Sequence, residues 1–147
     1  MNVDVLPAVV NRQPVSAGIE VPPAFIVGIC LPFIVGGIAK LADPTGAAAE
    51  VAGLGLPLPQ LTAYLTIALQ LGGSFAAVFM GRRLAALGAL ALAVFTIAAT
   101  LLAHSFWTFA PPLRAPAMNA FVEHLAIVSA LLLVAWSKWH DLGGQNG

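Results

Sequence analysis

The sequence predicts an all-α integral membrane protein, four transmembrane helices in an antiparallel bundle with both termini cytoplasmic. Three observations carry that expectation. Of the 147 residues, 60% are hydrophobic and 8% charged, with a mean hydropathy of +0.95; soluble domains carry about 25% charged residues. Second, Leu61–Met80 and Leu84–Ala103 contain no charged residue, and each has about the 20 residues a helix needs to cross a hydrocarbon core. Third, the break between them, Gly81-Arg82-Arg83, is too short for anything but a tight turn at one membrane face. The two runs form a transmembrane hairpin, with Arg82 and Arg83 at its tip and His104-Ser105-Phe106-Trp107 at its exit.

Residues 1–20 read as an N-terminal tail, rich in turn residues and lacking the basic start of a secretory signal. Pro22-Pro23 suits the opening of a helix, where missing N–H groups cost little. The first span, about 22–41, contains Pro32, which cannot bond the Gly28 carbonyl and is expected to kink the helix. Gly36 and Gly37 offer a smooth surface for close helix approach, and Lys40 can snorkel to the interface. Leu41–Gln60 is a Gly- and Pro-rich loop whose middle, Pro44–Val51, has the makings of a short surface helix.

The hairpin supplies spans at about 61–80 and 84–103, followed by a second loop, Ser105–Met118. The uncharged run Leu125–Ser137 is too short to cross unless extended backwards. The fourth span is therefore placed at about 118–138, with Glu123 and His124 inside it. Trp136 and Trp139 suit the aromatic belt at one interface, Phe106 and Trp107 at the other. Residues 21–140 make one membrane domain, and 141–147 a C-terminal tail. Arg12, Arg82, Arg83 and Lys138 fall on one side, which the positive-inside rule makes cytoplasmic. The bilayer is the primary partner.

Six basic against six acidic residues, with no basic run, argue against nucleic acid as a partner. The lone Cys30 has no intrachain disulfide partner and reads as a small packing residue. There is no nucleophile–base pair, phosphate loop or carboxylate dyad, so no stand-alone catalytic centre is assignable.

The candidate site residues are His104, Trp107, Gln70, Lys40, Asn119, Glu123 and His124. Ionisable groups at membrane depth are costly and tend to mark function. Lys40 also reads simply as an interface anchor. Glu123 and His124 point about 100° apart on a helix, so one faces the bundle and the other the interface. Gln70, near mid-depth, reads first as interhelical hydrogen-bond glue, worth about 1 kcal/mol. Its functional alternative is a donor to a quinone carbonyl. A metal site among His104, Glu123, His124 and Glu50 lacks any pair at i,i+4 spacing, and none is expected. A haem between His104 and His124 is sharper, since both lie at one depth. Both also lie near helix ends, where a macrocycle is poorly buried, which counts against haem b.

The pattern resembles the DoxX family of small bacterial and archaeal membrane proteins. The resemblance rests on Gly36-Gly37-Ile38-Ala39-Lys40-Leu41, Gly72-Gly73, Gly81-Arg82-Arg83-Leu84-Ala85-Ala86, His104-Ser105-Phe106-Trp107 and Asn119-Ala120-Phe121. It implies a four-helix subunit of the cytoplasmic membrane, associated with a respiratory or oxidative-stress oxidoreductase and contacting quinone or a redox partner at the outer face. Many members carry a glutamate at or near Gln70 and a Lys-Asn pair at Glu123-His124, so this chain departs from them there. Two other readings stay open: a structural or assembly subunit held by its small-residue faces to other subunits or to copies of itself, and a small carrier or channel. Gln70 is nearly alone at mid-depth, whereas transport paths carry polar groups at several depths.

Overall fold

The computed structural model describes residues 20–143; the expected N-terminal tail and residues 144–147 lie outside them, apart from Glu20. The described chain is helical, with no strand: α1 (Pro23–Ala42), α2 (Pro44–Gly53), α3 (Pro59–Phe79), α4 (Arg82–Ala103) and α5 (Arg114–Gly143), with a 3-10 turn at Phe106–Thr108. Four of the helices, all but α2, are long and apolar enough to cross a membrane. The protein is a four-span helical membrane protein. One end of the bundle carries Arg82 and Arg83, the other His104 and His124; these are the arginine and histidine ends below.

The boundaries have local causes. Proline opens α1, α2 and α3, where its missing donor and fixed φ suit the first turn. Asp43 caps α2, its Oδ1 accepting from the Gly46 N–H at 2.9 Å. The α3–α4 break is narrower than the sequence suggested: Met80 and Gly81 form it, and Arg82 and Arg83 already belong to α4. Pro32 lies within α1, which runs on as one helix. The loop expected over Ser105–Met118 is shorter, because α5 begins at Arg114 and takes in Pro116. Early turns tolerate proline, since their N–H groups have no intrahelical acceptor. At 30 residues, α5 is about 45 Å long, well beyond the hydrocarbon thickness.

The helices pack in the order α1, α3, α4, α5, with α4 the most buried. Its buried positions Ala85, Ala89, Leu92, Thr96 and Thr100 recur at helical spacing. Small residues set the distances. A Cβ on Gly88 would lie 2.7 Å from the Gly73 carbonyl oxygen, so α3 and α4 touch backbone to backbone there. A Cβ on Gly37 would lie 2.7 Å from Leu71 Cδ2, which fixes α1 against α3. The main core joins Ile26, Cys30 and Phe33 of α1 to Ala77, Leu92, Val128, Leu131 and Val134. Cys30 is fully buried within it. Large apolar side chains such as Phe25, Leu65, Phe79 and Leu84 face outward, as lipid contact requires.

The α1 and α5 members of that core lie between mid-helix and the arginine end. Beyond Phe33, α1 buries only Gly37, against α3, and α5 buries nothing before Val128. The two helices therefore part toward the histidine end. Into that gap comes α2, whose Ala47, Ala48 and Val51 pack on Ala63 of α3.

Gly88→Val is expected to destabilise the bundle by about 1–3 kcal/mol, the usual cost of overpacking, and to lower the unfolding midpoint in detergent. Gly28→Ala, where an added Cβ meets nothing within 4 Å, should leave that midpoint unchanged. Cysteines placed at Arg83 and Thr108 should be labelled from opposite faces of sealed vesicles; labelling from one face would refute the four-span topology.

Candidate functional site

The gap between α1 and α5 is a cavity of about 450 Å³, within the range of small-molecule pockets. Phe33, Phe95, Thr96 and Ile127 line its inner part, and Lys40, Glu50, Val51, Leu54 and Thr62 its histidine end. Pro32, midway along α1, and Ala98, in the histidine-end third of α4, are both exposed and also line it. It therefore reaches the lipid-facing surface. Phe33 and Phe95 meet edge to face at 6.5 Å.

Gln70 lies 11 residues into α3, about 16 Å from its start. It lines the cavity and is 8% exposed. Its amide lies across bare backbone: a Cβ on Gly36 would sit 3.5 Å from Nε2 and 3.8 Å from Oε1. Gln70 Oε1 is the one buried side-chain polar atom among the described residues without a hydrogen-bond partner. The interhelical bond expected of a glue residue is missing at that atom. The buried hydroxyls nearby behave otherwise. Ser74 donates to the Gln70 carbonyl at 2.6 Å, Thr96 to Leu92 at 2.7 Å and Thr100 to Thr96 at 2.6 Å. Each finds an acceptor one turn back on its own helix.

At the mouth, Lys40 Nζ and Glu50 Oε2 form an ion pair at 2.7 Å. Lys40 is thus more than an interface anchor, because it ties the end of α1 to α2. The pair is largely solvent-exposed on the glutamate side, so its stabilising effect is small. Its consequence is positional: it holds α2 over the histidine end of the cavity.

His124 also lines the cavity, and on another side it meets His104. The two rings are 4.9 Å apart between centroids and inclined at 33°. His124 Nδ1 bonds the Ala120 carbonyl, which can only accept. Nδ1 therefore carries the proton, and Nε2 is the acceptor of the neutral ring.

Beside this pair stands an aromatic cluster the sequence only half disclosed. Phe106 and Trp107 meet at 5.2 Å between centroids, and Phe121 joins them at 5.5 and 5.8 Å, all near perpendicular. Phe121 and His124 are one turn apart on α5, a spacing that could have linked the cluster to the histidine pair. Trp107 is half-exposed at the surface. Of the remaining candidates, Asn119 and Glu123 are exposed and line neither cavity nor cluster. Facing away while His124 turns inward, Glu123 follows the angular separation of adjacent helical residues. Arg82 and Arg83 lie at the opposite end.

A cysteine at Thr66, inside the cavity, tests the role of α2. In a Cys30→Ala background, Glu50→Gln should speed maleimide labelling of Thr66→Cys severalfold while changing stability by less than about 1 kcal/mol. Equal labelling rates would show that α2 does not cover the cavity.

Comparison with known proteins fits this architecture. The family profile described as DoxX matches residues 25–105, more than half of the chain. The inner membrane protein YphA of Escherichia coli (strain K12) is 27% identical over 111 residues, covering 74% of this chain and 76% of that protein. No solved structure matches.

Proposed function

The chain belongs to the DoxX family, and from that premise we propose that it is a non-autonomous membrane subunit of a quinone-linked oxidoreductase complex. In this reading it works in the cytoplasmic membrane, where its relative from Escherichia coli is named as an inner membrane protein, with the histidine end outward. The observation that carries the proposal is the histidine end itself. Two imidazoles lie there 4.9 Å apart between centroids, at the same end as a half-exposed indole, with the Nε2 of one left as an acceptor. Such a surface suits a quinone head group or a docked redox protein, since it offers an aromatic wall and a titratable acceptor together. The chain brings no nucleophile–base pair or carboxylate dyad of its own, so turnover belongs to the assembled complex.

One observation favours a structural reading beside it. Gly28 and Gly72 are exposed, and an added Cβ at either meets nothing within 4 Å. Unlike Gly37, Gly73 and Gly88, they are not used inside the bundle, and they leave smooth surface for a helix of another subunit or a second copy. The two readings separate in one experiment. In the purified native complex, His104→Ala combined with Trp107→Ala should reduce quinone-linked activity at least tenfold while the four spans still insert and the complex still assembles. Full activity in that double variant would leave assembly as the role.

A further inference from the structure

We propose that the cavity between α1 and α5 is a phospholipid site. It takes one acyl chain sideways from the bilayer and holds a zwitterionic head, a phosphate with a primary amine, on Lys40 and Glu50. This inference rests on the cavity and its ion pair, not on the oxidoreductase reading.

The shape and place of the cavity select a chain. Phe33, Phe95, Ala99 and Ile127 line its inner part, and the exposed Pro32 lies midway along α1, at hydrocarbon depth. The molecules at that opening are acyl chains, and an apolar wall left without neighbours loses its dispersion contacts. A partner's spanning helix is too thick to be the occupant. A helix fills roughly 400–600 Å³ per turn, so the cavity of about 450 Å³ has room for a single turn. A flexible chain needs only the width of a methylene.

The mouth selects the head. Lys40 stands in the last turn of the 20-residue α1, a helix about as long as the hydrocarbon core is thick. Its ammonium therefore lies at headgroup depth. The 2.7 Å bond to Glu50 Oε2 engages one carboxylate oxygen and one of the ammonium's donors. Among the described residues no other bond engages either side chain. Glu50 Oε1 and the remaining Lys40 donors are left for a second charge of each sign. A lipid phosphate matches the donors and a primary ammonium matches the carboxylate, both as charge-assisted hydrogen bonds. The head thus extends the ion pair and leaves α2 in place. A phosphocholine head lacks the N–H, and an anionic head without an amine sets its charge beside Glu50 with nothing to offset it.

The test uses the full chain, delipidated in detergent and offered an equimolar mixture of dioleoyl lipids. Their heads are phosphoethanolamine, phosphocholine and phosphoglycerol, and native mass spectrometry counts the bound lipid. One lipid should be retained at saturation. The phosphoethanolamine should be favoured about threefold or more over each of the others, a preference on the scale of an exposed ion pair. Lysophosphoethanolamine, with one chain, should displace it, and glycerophosphoethanolamine, with none, should not. Glu50→Ala should bring the phosphoethanolamine down to the phosphocholine level with a lipid still bound. Ala99→Phe, which puts a ring into the cavity, should reduce retention of all three. Equal retention of the three heads by the wild type overturns the proposal, whether or not either variant folds. So does displacement by the head alone, a preference that survives Glu50→Ala, or retention indifferent to Ala99→Phe. None of these measurements involves a quinone or turnover, so failure here and failure of the subunit reading are distinguishable.

Discussion

The backbone contact between α3 and α4 at Gly73 and Gly88 sets the geometry of everything else. With no room for a Cβ at Gly88, the hairpin closes until backbone meets backbone. In a bilayer, where lipid tails are as apolar as leucine, close packing rather than hydrophobic expulsion holds helices together. The tight hairpin then offers two unequal faces. α1 docks on α3 through Gly37 and Leu71, and α5 docks on α4 in the most extensive helix contact of the bundle. Neither contact forces α1 and α5 together, and they meet only toward the arginine end. The cavity is the geometric remainder of two strong pairings and one weak one.

That remainder is where polar side chains stop being satisfied. Ser74, Thr96 and Thr100 are short enough to reach carbonyls one turn back, so each carries its own solution wherever it sits in the helix. Glutamine is longer, and its amide stands clear of its own helix, over the bare backbone of Gly36. Its oxygen needs a partner from elsewhere, and no described side chain supplies one. The same divergence that leaves the space removes the neighbour that would have filled the bond.

The fold was largely legible because each of its determinants is local. Charge-free runs of crossing length, prolines at helix openings and the Gly-Arg-Arg break are properties of adjacent residues, and they pointed to the four helices long and apolar enough to cross a membrane. The start of α5 was missed because Pro116 reads as a breaker unless the helix already begins at Arg114. The site was legible only in part. The pairing of His104 with His124 followed from depth along the chain. The Lys40–Glu50 bond, the place of Phe121 in the aromatic cluster and the divergence of α1 from α5 depend on rotation about helix axes. A hydropathy pattern this apolar all round does not encode that rotation. Asn119 and Glu123 were grouped with the histidines by sequence distance and lie on the other side of the helix for the same reason.

Stability alone does not account for an amide at position 70. A leucine there would fill similar space against Gly36 and Leu71 without an unmatched oxygen, and replacing an unsatisfied polar group by an apolar one of similar shape is often neutral or stabilising. Nor does the amide serve α3 as a helix former in any way leucine would not. Its surroundings are equally hard to read as packing: aromatic rings and a histidine acceptor border a space they do not fill, under a short helix held by an ion pair. His124 belongs to both the cavity wall and the ring pair with His104. The cavity and the histidine end thus share one residue, and a change of rotamer at that ring is felt at both.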